Sequence, residues 1–318
     1  MLNTPVLFLV FNRLDTTQQV FAKIREIQPK QLFIGADGAR ASKEGEAEKV
    51  VAVRKYILDN IDWDCEVKTL FREQNLGCGV APAEAITWFF DNVEQGIILE
   101  DDCLPDLSFF TFCEELLEYY KDNEQIMHIS GSNFQMGNKR GNFSYFFSVY
   151  APAWGWATWR RAWQKYDFCL LKVSKSILES TFKKIQFNRK EINYWLNVYE
   201  DVEGGKRKDI WDLQWAFTIW LHNGIAINPQ NNLIQNIGFR QDATHTTQRD
   251  SLVANLKTTN LPEIIHPQTI ALDIEADKFT FEHHVNPSAS WYQYLRHQII
   301  PNLVPKFIKK ILKPTIHG

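Results

Sequence analysis

Gly96-Ile97-Ile98-Leu99-Glu100-Asp101-Asp102-Cys103-Leu104-Pro105-Asp106 decides the fold of this chain. Ile97, Ile98 and Leu99 predict a strand buried on both faces, and it runs straight into three consecutive carboxylates. In open α/β sheets, ligands collect beyond the carboxyl ends of such strands. Three like charges packed there repel one another unless a cation sits among them. Mg2+ or Mn2+, which favours carboxylate oxygens, water and substrate phosphates, is the economical answer. Alternatively the triplet is a solvated acidic loop that starts the next helix, with Asp106 as its cap.

Outward from this stretch, the first hundred residues alternate between two periodicities. Residues 5 to 11 form a continuous apolar run. Asn12-Arg13-Leu14-Asp15 breaks it before Val20, Phe21, Ile24 and Ile27, which recur at helical spacing, with Asp15 or Thr16 as the expected cap. Residues 31 to 36 predict a second strand ending at Asp37-Gly38. Residues 43 to 60 predict a helix with Val50, Val53, Tyr56 and Ile57 as its stripe. Residues 65 to 71 alternate as a third strand. A glycine-bearing loop over residues 75 to 79 then precedes a helix with Pro82 in its first turn. Four strands separated by three helices argue for βαβ units, right-handed crossovers and a mostly parallel α/β sheet. Gly77-Cys78-Gly79-Val80-Ala81-Pro82 has proline where a dinucleotide fingerprint needs its third glycine, and no P-loop occurs, so hydride transfer is demoted.

Beyond the triplet, residues 107 to 121 predict a helix and residues 126 to 131 a strand that opens into Ser132-Asn133. Residues 144 to 150 predict a strand on a smaller, more antiparallel part of the sheet. The following run, Ala151-Pro152-Ala153-Trp154-Gly155-Trp156-Ala157-Thr158-Trp159-Arg160-Arg161-Ala162-Trp163, is either core or an irregular aromatic pocket wall suited to a sugar or base; as a group, a wall is preferred. Residues 170 to 208 are helical and carry little chemical signal. A strongly apolar helix then starts near Asp209, with Asp212 between Trp211 and Trp215, where partial desolvation would raise its pKa and make it a better base. His245 stands in a polar loop. Residues 246 to 290 are weakly patterned and expected to be a peripheral extension, giving a catalytic unit over 1–245 and a C-terminal extension over 246–318.

A chain of 318 residues, 45% hydrophobic and 23% charged, has the composition of an ordinary globular protein, and its net charge of -3 gives no support for general nucleic-acid binding. Five cysteines without a CxxC pair signal neither a disulfide framework nor a zinc site. No basic leader precedes the first strand and no apolar stretch approaches about 18 residues, so a cytoplasmic location is expected. The tail from Trp291 to Lys313 is basic and amphipathic. It suits either peripheral association with an anionic membrane or docking on the domain with a solvated basic face.

Taken in order, these motifs resemble the GT-A glycosyltransferases, in particular the inverting N-acetylglucosaminyltransferase type and bacterial relatives in surface-polysaccharide synthesis. The likeness covers residues 5 to 245. Asn12-Arg13 resembles the arginine motif near the nucleotide, and Asp37 stands where an Asp binds the base. Glu100-Asp101-Asp102 matches the acidic motif letter for letter, which implies that Asp102 touches the metal while Arg13, Asp37, Glu100 and Asp101 serve the donor. Ser130-Gly131-Ser132-Asn133 and Pro152-Ala153-Trp154-Gly155-Trp156 resemble the segments around the sugar, so Asn133, Trp154, Trp156 and Trp211 are the expected acceptor or sugar pocket. The family's Trp-Asp-Asp-Trp motif appears as Trp211-Asp212-Leu213-Gln214-Trp215, leaving Asp212 as the implied base. A late histidine in the metal shell corresponds to His245. The resemblance implies a metal-dependent transferase using Mn2+ or Mg2+, a nucleotide-sugar donor, UDP-linked, and a glycan or lipid-linked acceptor. Its rivals are a nucleotidyltransferase acting on a sugar phosphate and a catalytically silent glycan-binding module.

Overall fold

The structure, a computed structural model, describes residues 1–170, 173–207, 209–239, 253 and 256–287. The first four strands are β1 (Val6–Val10), β2 (Gln31–Ala36), β3 (Glu66–Phe71) and β4 (Gln95–Glu100), joined by helices α1 (Leu14–Ile27), α2 (Glu46–Asp59) and α3 (Gly77–Asn92). They pair in parallel, in the order β3-β2-β1-β4. After the short strand β5 (Cys103–Pro105) come helix α4 (Leu107–Tyr119), strands β6 (Ile126–Ser130), β7 (Tyr145–Ser148) and β8 (Trp156–Trp159), and helix α5 (Arg160–Trp163). Helices α6 (Lys175–Lys184), α7 (Arg189–Glu203) and α8 (Asp212–Leu221) precede strands β9 (Ile225–Pro229) and β10 (Ile234–Asn236). Helix α9 (Ile274–Thr280) continues into a π-helical turn, Phe281–Val285.

The eight-stranded sheet runs β3-β2-β1-β4-β8-β6-β9-β7. Strand β8 is antiparallel to both β4 and β6, β6 and β9 are parallel, and β7 closes the edge antiparallel to β9. A separate two-stranded sheet pairs β5 with β10. The expectation of an α/β, mostly parallel sheet with a small antiparallel portion in the second half is met.

Alternation along each strand divides the core between the two faces. Val6, Phe8, Leu32, Ile34, Ile97 and Leu99 pack with α1, α2 and α4, whereas Leu7, Phe33 and Ile98 pack with α3 and with aromatic residues of α5 to α8. Because both faces are covered, the central strands read as unbroken apolar runs, which is why they were readable from sequence.

Several local expectations are corrected. Arg13, not Asp15 or Thr16, occupies the N-cap of α1, and the hydroxyls of Thr16 and Thr17 donate to its carbonyl. Helix α3 starts at Gly77, so Pro82 lies inside it rather than in its first turn. The cause is remote in sequence: the Asp37 carboxylate accepts the Leu76 and Gly77 N–H groups at 3.0–3.1 Å and caps the helix from the end of β2. The tryptophan run is regular from Trp156 onward, as β8 and α5. Its start is irregular, as expected from Pro152 and Gly155: Gly155 holds φ at +61° and any Cβ would collide with Ile234. Residues 256–287, within the stretch expected as a peripheral extension, make contacts with the body. Asp277 of α9 accepts hydrogen bonds from the Ser148 hydroxyl and the Val149 N–H at the sheet edge. No helix among the described residues is long and apolar enough to cross a membrane, and the tail lies outside them.

Candidate active site

A cavity of about 1490 Å3 opens at the carboxyl ends of β1, β2 and β4 and extends past α7 and α8 to the π-helical turn. Its charged half is built on strand ends. Strand β4 finishes on Glu100, and the turn that follows buries Asp101 and Asp102. Arg13, at the start of α1, reaches both: its Nη2 pairs with Asp101 Oδ1 and lies 2.9 Å from Asp102 Oδ2. Burial works against the Arg13 charge, but Asp101 and Asp102 more than offset it and hold the guanidinium protonated. The carboxylates respond in the opposite sense. Burial, then the charges of Asp102, Asp101 and Asp212, push Glu100 up to about 8. Burial pushes Asp101 up to about 6 against the pull of Arg13.

One guanidinium does not satisfy this cluster. Asp101 Oδ2 is buried without a hydrogen-bond partner among the described residues. Asp102 receives the close approach of the chain at Gly238, where any side chain would collide with its carboxylate, and its carbonyl accepts the Ile237 N–H at 2.8 Å. Among the described residues, no group of three or more His, Cys, Asp and Glu side chains is disposed to hold a metal ion.

Next to this cluster, Asp37 lines the cavity while its two oxygens accept from Gly38, Asn75, Leu76 and Gly77. Arg54 fixes the same corner by donating to the carbonyls of Ala36, Asp37 and Arg72. Glu46 is buried and takes hydrogen bonds from Asn12 and from the backbone and side chain of Arg40, whose guanidinium lies over the Phe11 ring.

The other half of the cavity is aromatic. Trp154 enters from the irregular segment before β8, Trp211 from the N-cap of α8, and Tyr194 and Trp195 from α7. Trp154 meets Phe134 edge to face at 5.3 Å. Asp212 is the first residue of α8, at the junction of the two halves, and near enough for its charge to act on Glu100. It is exposed; Trp215 points into the core, while Trp211 packs on Trp156.

The fold therefore gathers Arg13, Asp37, Glu100, Asp101, Asp102, Trp154, Trp211 and Asp212 around one cavity. Two expected pocket residues do not reach it. Trp156 is 0% exposed, sandwiched between Trp211 and the buried His128. Asn133 is buried and spends its amide on the carbonyls of Pro229 and Gln230 and its Oδ1 on the Gln135 N–H. Both support the site without lining it. His245 lies outside the described residues. Sequence reasoning missed Tyr194, Trp195 and His284, because a single lining face on an otherwise polar helix, or a histidine in a weakly patterned segment, leaves no periodic signal.

No family model matches the chain, and no curated protein matches it. Solved structures do match. Staphylococcus aureus TarS, residues 1–349, is 8% identical with a TM-score of 0.39, over 73% of this chain and 59% of that one. A putative glucose-1-phosphate thymidylyltransferase from Bacillus anthracis, in complex with a sucrose, is 9% identical with a TM-score of 0.37, over 80% of this chain and 98% of that one. A 4-diphosphocytidyl-2C-methyl-D-erythritol synthase from Anaerococcus prevotii is 8% identical with a TM-score of 0.32, over 62% of this chain and 98% of that one. The chain thus spans 59% of the length of the TarS fragment it matches. At these identities and TM-scores the likeness carries no argument about this chain.

Proposed function

We propose that this chain is a glycosyltransferase that moves a sugar from a nucleoside-diphosphate sugar, UDP-linked, to a glycan or lipid-linked acceptor with inversion at the anomeric carbon. One observation carries this reading: a single cavity joins a carboxylate and guanidinium cluster at the strand ends to an aromatic wall, with Asp212 at the junction. Asp37 and Arg13 face the nucleotide half. There Arg13 opposes the charge that builds on the departing diphosphate. Asp212, exposed to the cavity, takes the proton from the acceptor hydroxyl as that oxygen attacks the anomeric carbon. Attack from the aromatic side, opposite the diphosphate, sets the inverted product.

The orphaned oxygen of Asp101 and the hard donors of Glu100 and Asp102 fit a divalent ion held mainly by phosphate and water rather than by a protein cage. Asp102 is the residue assigned to it. When bound, Mn2+ or Mg2+ supplies charge neutralisation at the diphosphate. The basic tail, residues 291 to 313, would hold the enzyme on the anionic membrane surface where a lipid-linked acceptor resides.

Thermal unfolding with UDP, GDP, CDP or dTDP, each with and without Mn2+, tests the donor site. A ligand at about a hundred times its dissociation constant adds roughly 2.7 kcal/mol. Stabilisation by UDP only with metal, lost in Asp102→Ala, is the expected result. Failure of every nucleotide to stabilise the protein would reject the transferase in favour of a glycan-binding module. Release of pyrophosphate from a nucleoside triphosphate and a sugar phosphate would identify a nucleotidyltransferase instead.

A further inference from the structure

Thr280 and His284, four residues apart, share the face of the last helical segment that looks into the cavity. His284 packs against Phe134 at 4.0 Å between ring centroids, and Phe134 in turn meets Trp154. Neither ring nitrogen of His284 has a hydrogen-bond partner among the described residues, although the segment carrying it is firmly held. Gln135 Nε2 donates to the Ala276 carbonyl at 3.1 Å and to Thr280 Oγ1 at 2.8 Å, and the Tyr194 hydroxyl donates to the Val285 carbonyl at 3.2 Å. The Asn286 N–H closes the π-helical turn on the Phe281 carbonyl. A fixed, half-buried imidazole at a cavity wall is placed to meet a ligand atom.

We propose that His284 contacts the acceptor, hydrogen-bonding a hydroxyl of an uncharged sugar ring laid along Phe134 and Trp154. This rests on the transfer reading above and assigns its acceptor side. Burial lowers the pKa of His284 to about 4, so at neutral pH the ring offers one N–H and one lone pair, which suits a hydroxyl and gives no attraction to an anion. Its neighbours Phe134, Trp154, Thr280 and Val285 are likewise uncharged. Aromatic faces with few, well-placed polar groups suit the apolar face and hydroxyl edge of a pyranose.

The test uses the full chain and four p-nitrophenyl β-glycosides: the glucoside, galactoside, N-acetylglucosaminide and N-acetylgalactosaminide. Saturation-transfer NMR and titration calorimetry are run with UDP and Mn2+ present, on the wild type, His284→Ala and His284→Gln. At least one glycoside should bind the wild type through its ring protons. Its affinity should fall roughly three- to ten-fold in the alanine variant, the effect of one lost hydrogen bond, and recover in the glutamine variant. UDP affinity should be equal in all three. Absence of glycoside binding to the wild type, unchanged binding in His284→Ala, or a parallel loss of UDP affinity in His284→Ala would overturn the assignment. Glycoside binding that depends on His284 in a wild type with no affinity for UDP would overturn the transfer reading and leave the sugar contact standing.

Discussion

The two halves of the cavity are made in opposite ways. The charged half, around Arg13, Asp37 and Glu100 to Asp102, sits on the ends of parallel strands, each residue lying at or within three positions of the end of its own strand. The aromatic half takes Trp154, Tyr194, Trp211 and His284 from four separate segments, each with one or two residues. Strand-end sites are therefore compact motifs. Walls assembled from helix faces exist only after the chain has closed.

Replacing the residue where the halves meet gives the largest expected effect. Asp212→Asn should lower transfer about 10²- to 10⁴-fold, the usual contribution of a general base, while UDP binding measured by calorimetry stays intact. Loss of both together would merge the halves into one site and remove the distinction.

Within the charged half, Arg13→Met removes the cation that pairs with Asp101 and Asp102. Stripping one partner from a buried pair costs about 3–5 kcal/mol. Thermal unfolding should shift down accordingly in chelator and recover in part with Mn2+. An equal loss with and without metal would argue that Arg13 acts through packing alone.

A smaller effect is expected from pH. Glu100 has an ordinary value of 4.5 and is raised to about 8 in the folded protein, mainly by burial. Between these values the native state holds a proton that the unfolded state releases. The contribution of Glu100 to stability is therefore fully present below the lower value and is lost as pH rises through the higher one. In chelator the melting temperature of the wild type should fall by several degrees from pH 5 to pH 8. Glu100→Gln should flatten that slope, and an unchanged slope would show that Glu100 ionises freely.

The same contrast explains what could be read beforehand. The apolar run of β1, the apolar strand before Glu100 and the Asp106 cap, which accepts the Ser108 N–H, are all local signals. The apolar helix expected from Asp209 is another, although α8 begins three residues later, at Asp212. The beginning of α3 was misplaced because its capping carboxylate comes from Asp37, forty residues away. Trp156 was misplaced because tryptophan density looks the same for a wall as for a core: the strand period sends that indole inward, while Trp154, before the strand, remains at the cavity. His284 lay in a segment whose ties to Gln135 and Ser148 are tertiary throughout.

The double duty of Asp37 has a consequence for signalling across the site. The oxygens that line the nucleotide half also hold the first N–H groups of α3. The next residue, Cys78, donates its thiol to the Asp209 carbonyl at 3.2 Å, three residues ahead of Asp212. Hydrogen bonds on either side of the Gly77–Cys78 step thus run from Asp37 to the segment just before Asp212. If the nucleoside diphosphate of the proposed donor settles beside Asp37, this path gives it a route to the start of α8, and substrates would then add in a fixed order.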